Sequence, residues 1–198
     1  PRDLTEGTPW KTILAFALPI IISYLLQQVY TISDAAIVGQ TLTAGEVAGV
    51  NDTTSIIFIF LQFAFGVSAG FCVLTAAEVG AHHEAGVRRS LAAQILLSAA
   101  LTVLLTGLAL LLLKPMLAWI NVTPESPEVY RAAHTYCAII FAGIGAQLFY
   151  NFICSFLRSM GDSVTPLLFL LFSTILNIGL DLLFIVSFHW GVAGAAIA

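Results

Sequence analysis

Charge is what this 198-residue sequence has least of: 9% of positions are Asp, Glu, Lys or Arg, against 59% hydrophobic, and the mean hydropathy is +0.98. A water-soluble domain of this length could not bury that much apolar surface, so the soluble classes are excluded. The net charge of −4 comes without a basic stretch, which excludes nucleic acid as a partner. Cysteine is scarce too. Cys72, Cys137 and Cys154 are odd in number, lie inside apolar runs and match no metal-ligand spacing, so they read as small packing residues. A glycine-rich phosphate loop, a nucleophile elbow and a metal-ligand motif are all missing, and with them any visible enzyme chemistry or need for an organic cofactor.

What the sequence does contain is long apolar runs. A helix rising about 1.5 Å per residue needs roughly 20 apolar residues to cross a hydrocarbon core about 30 Å thick. Residues 12–33, 53–77, 90–113 and 132–157 carry no Asp, Glu, Lys or Arg, and 166–188 carries only Asp181. The first run extends to 38 once Asp34 and the apolar residues behind it are included. The expected fold is therefore all-α, a polytopic bundle of five transmembrane helices. A sixth run opens at Gly191 and reaches Ala198, too short to cross a membrane. That truncation, with a start at Pro1, leads to the expectation of a fragment. The first run is too long for a cleavable signal peptide.

The few charges are unevenly placed. Arg2, Lys11, Arg88, Arg89 and Arg158 fall on one side of the expected spans, and Lys114 and Arg131 on the other. The positive-inside bias then puts the N-terminus in the cytoplasm, and the expected location is the cell (inner) membrane. Residues 41–49, 80–89, 114–131 and 158–165 are the expected connectors, with a short interfacial helix at 115–120. Pro19 invites a bend in the first span. Gly66 and Gly70 form a GxxxG pair, expected to admit a neighbouring helix closely enough that Leu at either position lowers the folded yield.

Two carboxylates stand inside the spans, where each costs about 2.5–3.5 kcal/mol near the bilayer centre. Asp181 comes 15 positions after Pro166, about 22 Å along the helix, and Asp34 follows the uncharged part of the first span. Both belong to the outer half. Gln27, Tyr30 and Asp34 fall at i, i+3 and i+7, Asn177 precedes Asp181 by four, and Gln147 precedes Asn151 by four. These three polar stripes should turn away from lipid toward one another or a water-filled cleft. Amides alone could serve as interhelical glue, whereas two aspartates fit an ion or proton site better. His82, His83 and Glu84 invite a metal reading, but neighbouring helical side chains diverge by about 100°, which favours a solvated loop.

Taken in order, Leu18-Pro19-Ile20, Gln27-Gln28-Val29-Tyr30-Thr31-Ile32-Ser33-Asp34-Ala35-Ala36-Ile37-Val38-Gly39, Leu157-Arg158-Ser159-Met160-Gly161-Asp162-Ser163-Val164-Thr165-Pro166 and Leu176-Asn177-Ile178-Gly179-Leu180-Asp181 resemble the multidrug and toxic compound extrusion (MATE) family. The run from Gly191 to Ala198 is similar to that family's start of helix 6. The resemblance covers the whole chain. It implies a transporter of twelve helices in two lobes that exports organic cations in exchange for protons or sodium, with this chain most of the N-terminal lobe and the C-terminal lobe its missing partner. It also implies that Asp34, Asp181 and Asn177 form the cation-coupling site, the only place a sodium ion would bind. Gln27, Tyr30 and Asn151, with Gln147 beside them, would line the substrate cavity as in the DinF-like branch.

Two other readings compete. A lipid-linked precursor or polysaccharide flippase would share the architecture but line its cavity with several basic residues, and the expected spans contain none. A non-transporting membrane interaction module would have no use for buried carboxylates. Between proton and sodium, the scarcity of oxygen ligands in this half leans toward the proton.

Overall fold

The structure is a computed structural model and describes residues 8–198. Arg2, one of the charges used for orientation, lies outside the described residues. The order of elements is α1 (Pro9–Thr41), α2 (Ala44–Gly80), α3 (Glu84–Trp119), α4 (Pro127–Ala142), α5 (Ile144–Ser159) and α6 (Val164–Asp181). A π-helical stretch, Leu182–Ser187, continues α6, and α7 (Gly191–Ile197) follows. No strand occurs among the described residues. Among the described residues four helices are long and apolar enough to cross a membrane, and α4 with α5, bent by 46° at their junction, make a fifth span if taken together.

The helices run further than the apolar runs, because local capping chemistry outlasts hydrophobicity at their ends. Residues 41–49 are not an open turn: Thr43 caps α2, its hydroxyl accepting from Glu46 N–H while the Glu46 carboxylate accepts from Thr43 N–H. Arg88 and Arg89 likewise sit on α3 and not in a connector. The expected helix at 115–120 is the uninterrupted end of α3, which passes through Pro115, as α1 passes through Pro19. Conversely, the run 132–157 is broken at Gly143, whose N–H is shared between the carbonyls of Ile139 and Ile140.

Three helix ends stop the same way. Asp162 N–H reaches Leu157 O and Gly161 N–H reaches Arg158 O; the pairs His83 to Glu78 with His82 to Val79, and Val122 to Leu117 with Asn121 to Ala118, repeat the pattern. This is the closure that requires a left-handed residue, and Gly161, His82 and Asn121 have φ of +79°, +52° and +63°. Immediately after Gly161, the Asp162 carboxylate accepts from Val164 N–H, Thr165 N–H and the Thr165 hydroxyl at 3.1, 3.0 and 2.6 Å, starting α6. The Gly161-Asp162-Ser163-Val164-Thr165-Pro166 segment is thus a stop and a start joined in one turn.

The Thr165 hydroxyl, then its backbone N–H, holds Asp162 below its ordinary value of 3.8. A depressed folded-state value means that the stabilisation is present above 3.8 and is lost as the pH falls through the folded value. Thermal unfolding of Asp162→Ala and the parent should therefore differ at neutral pH and converge in strong acid. A gap that persists unchanged at low pH would exclude the carboxylate as its source.

Packing divides the helices into two groups. One apolar core joins α2, α3, α4 and α5 around Ala64, Ala109, Leu117, Cys137, Phe141 and Ile144, all fully buried. The other joins α1, the π-helical stretch and α7 around Val38, Ile185 and Ala195, with α6 laid along α1. Contact between α1 and α2, and between α5 and α6, is sparse, and α4 bridges the two groups by packing on α7 and placing Tyr136 against the second core. In the most apolar windows of α1 and α3 only 6% and 11% of residues are buried within the protein, so these faces look outward, as lipid requires.

Gly66 and Gly70 do not mediate helix packing here: a methyl group at either would meet nothing within 4 Å. The face of α2 that packs is a different one. Gly49 lies against α4 so closely that an added Cβ would come within 2.6 Å of Val129 O and 2.8 Å of Ala132 Cβ. Between α2 and α3, Gln94 donates to Phe71 O and to the hydroxyls of Thr75 and Ser90 and accepts from Cys72 Sγ, and Thr75 and Ser90 are 2.7 Å apart. Replacing Gln94 by Leu leaves the Thr75–Ser90 bond but strands the Cys72 thiol. Stability in detergent should fall by about 1–2 kcal/mol. An unchanged denaturation midpoint would mean the knot contributes nothing.

Candidate cation-binding site

The seam between the two helix groups holds the polar residues, and it holds them at two places. Asp181 is the last residue of α6, fully buried, with both carboxylate oxygens shielded from solvent and without a hydrogen-bond partner. One turn earlier, buried Asn177 presents its side-chain oxygen, also unpartnered. Three acceptor oxygens therefore lie out of water with no donor. Buried acceptors are normally satisfied, and leaving them so costs several kcal/mol, so the arrangement calls for a cation or a proton. Asp34, half-buried on α1, is within electrostatic range of Asp181. Tyr30 on α1 and Tyr136 on α4 feel both carboxylates.

The backbone around Asp181 is unusual. The π-helical stretch begins at the next residue, and such insertions are frequent at functional sites because they re-aim the side chains around them. Its far end is pinned by Phe184 stacked on Trp190 at 5.0 Å and by Gly194, where an added Cβ would come within 3.1 Å of the Phe184 carbonyl carbon.

The second place is a cavity of about 500 Å³ between α1, α2 and α5, reached by Gln27, Gln62, Gln147, Asn151, Tyr24 and Arg158. Gln27 and Tyr30 thus part company. Gln27 lines this cavity with Gln147 and Asn151, whereas Tyr30 sits with the carboxylates. The i, i+3, i+7 stripe stays on one face but runs about 10 Å along it, so its two ends serve different neighbours.

Sequence spacing did not single out Tyr136, Gln62, Tyr24 or Arg158. Tyr136 has Ala132, Ala133, Ile139 and Ile140 at helical spacing, so no polar stripe marks it. Arg158 was expected in a loop but belongs to the last turn of α5 and lines the cavity. His83 turns to Glu78 at 2.7 Å, so His82, His83 and Glu84 do not converge. Among the described residues no group of three His, Cys, Asp or Glu side chains is placed to hold a metal ion.

Comparison with known proteins is consistent along the chain. The family model described as MatE matches residues 19–183. A probable multidrug resistance protein, YpnP of Bacillus subtilis, is 32% identical over 98% of the chain. A solved structure described as the outward-facing conformation of a multidrug resistance MATE family transporter of the MOP superfamily superposes with a TM-score of 0.89 at 26% identity, covering 98% of the chain. A MOP superfamily transporter from Pyrococcus furiosus, whose binding pocket is described as of reverse polarity, gives 0.87 at 26% identity over 98% of the chain. The chain spans 43% of the Bacillus protein and 42% of each of these two structures.

Proposed function

Since the chain belongs to the MatE family, we propose that it is the N-terminal lobe of a secondary antiporter that exports organic cations or drugs in exchange for protons or sodium ions. The observation that carries the coupling site is the set of three unpartnered buried oxygens on Asp181 and Asn177, with Asp34 in electrostatic range. An unpaired carboxylate pair in a water-poor seam repels itself. A proton on Asp181 would give Asn177 Oδ1 the donor it lacks; a sodium ion would instead draw on all three oxygens and on Asp34. The oxygens present fit either ion. Loss of the ion leaves a negative site that attracts a cationic substrate, and binding of the next ion expels it, provided each favours a different arrangement of α1 against α6.

The glutamines and Asn151 of the cavity, with its aromatic walls, suit a bulky cation with a polar edge. Alternating access needs a second lobe to rock against, which is why the activity is assigned to the complete transporter. The flippase reading would need a cluster of basic residues, and the cavity offers Arg158 alone.

The test is efflux of a cationic dye from vesicles containing the full-length transporter, driven first by a sodium gradient and then by a pH gradient. One gradient should drive export and the other should not. Export indifferent to both would refute antiport. Orientation has its own check: cysteines placed at Arg89 and Ser159 should label from the cytoplasmic side and one at Ser126 from outside. Labelling of Ser126 from the cytoplasm would invert the topology.

A further inference from the structure

One charged group in the seam is left unused by cation exchange. Arg158 reaches the cavity from the last turn of α5, and its Nε is shielded from solvent with no hydrogen-bond partner. Among the described residues no carboxylate lies within ion-pair distance of it: the ion pair found is Glu78 with His83. Asp162, four residues on, would be the natural local partner, but both its oxygens are committed to the start of α6. Tyr150 and Cys154, which do sense the Arg158 charge, are neutral neighbours on the same helix face.

A guanidinium is always charged and presents a planar fork of donors; Arg158 is half-buried and faces a cavity lined largely by polar side chains, and its Nε is the nitrogen shut off from water. The apolar side chains lining the same cavity include Phe58, Leu61, Phe65 and Leu170. We infer that Arg158 is an anion-binding point at the inner end of this cavity, taking the phosphate of an amphiphile whose apolar part lies against Phe58, Leu61 and Phe65. The group recognised is a phosphate oxygen pair on the guanidinium fork, carried by a membrane phospholipid; free phosphate shares that chemistry and serves as the competitor. The site is the Arg158 end of the cavity that the cationic substrate is proposed to enter, apart from the Asp34 and Asp181 cluster, and it does not depend on which ion drives transport.

The test uses the full-length transporter in nanodiscs of phosphatidylcholine doped with phosphatidylglycerol, with bound phosphatidylglycerol counted by native mass spectrometry. Arg158→Gln should weaken retention of phosphatidylglycerol roughly tenfold or more, in line with losing a charge-assisted bond pair. Arg158→Lys should retain an intermediate amount, since it keeps the charge but not the fork. Arg88→Gln and Arg89→Gln, on the exposed start of α3, should behave as the parent. Added inorganic phosphate decides the source: displacement of the lipid supports a site open to free phosphate, and no displacement supports one built for the headgroup. Should Arg158→Gln fold poorly, the Lys variant carries the comparison. Equal retention by the parent, Arg158→Lys and Arg158→Gln, or no preference of the parent for phosphatidylglycerol over phosphatidylcholine, overturns the proposal; the latter would mean that Arg158 is neutralised within the complete protein.

Discussion

Asp181→Asn in the full-length transporter should insert and fold yet lose gradient-driven efflux, by on the order of a hundredfold. The substitution is nearly isosteric, so packing around the end of α6 and the π-helical stretch is preserved. What changes is chemical: an amide can neither take up a proton nor neutralise a sodium ion, and it brings its own donor to Asn177 Oδ1. The site then has no charge for an ion to neutralise and no reason to alternate. Asp34→Asn should also lose coupling, while retaining more substrate binding, because Asp34 is half-buried and its oxygens are not among those shielded from solvent. Asn177→Ala should weaken transport less than either, since it removes a ligand and leaves both charges. Efflux rates normalised to the amount of correctly inserted protein are the measurement. Parental rates in both aspartate variants would remove these residues from the mechanism.

The largest structural effect is expected at Gly49. Any side chain there meets the backbone of α4 at Val129 O, which cannot yield without moving the helix that carries Ala132, Ala133 and Cys137 into the core. Gly49→Leu should destabilise the lobe by about 3 kcal/mol, a fall of roughly 6–12 °C in the unfolding midpoint. Leu at Gly66 or Gly70 should be tolerated within this lobe, because both faces are open. Thermal unfolding of the three variants in detergent separates the cases. Loss of stability at Gly66 or Gly70 with none at Gly49 would mean that α2 packs through the other face.

That contrast shows where sequence pattern stops being informative. GxxxG is a statement about one helix, and whether another helix comes to it depends on the neighbour's shape, which no spacing encodes. The five runs were legible because the bilayer sets a length and a polarity that every span must meet, and the aspartates because a buried charge is too costly to be incidental. Tyr136 was hidden because it is a lone hydroxyl on an otherwise apolar face, and its meaning comes only from what α1 and α6 place opposite it. Helix ends were misjudged for a local reason. Thr43 with Glu46, and Asp162 with Thr165, start helices in polar sequence, where hydropathy shows only a loop. Arg158 was lost to the same error, its position read as a connector when the last turn of α5 carries it into the cavity.

The oxygens of Asp181 and Asn177, with Asp34, are proposed to hold the ion that the substrate displaces. Linkage makes this measurable without transport, because a substrate that displaces an ion must release it on binding. Purified full-length transporter, mixed with a cationic dye in weakly buffered solution, should release protons or sodium ions in proportion to the dye bound. Asp181→Asn should bind dye with no such release. Equal release from the parent and from Asp181→Asn would place the exchanged ion elsewhere and remove Asp181 from the exchange.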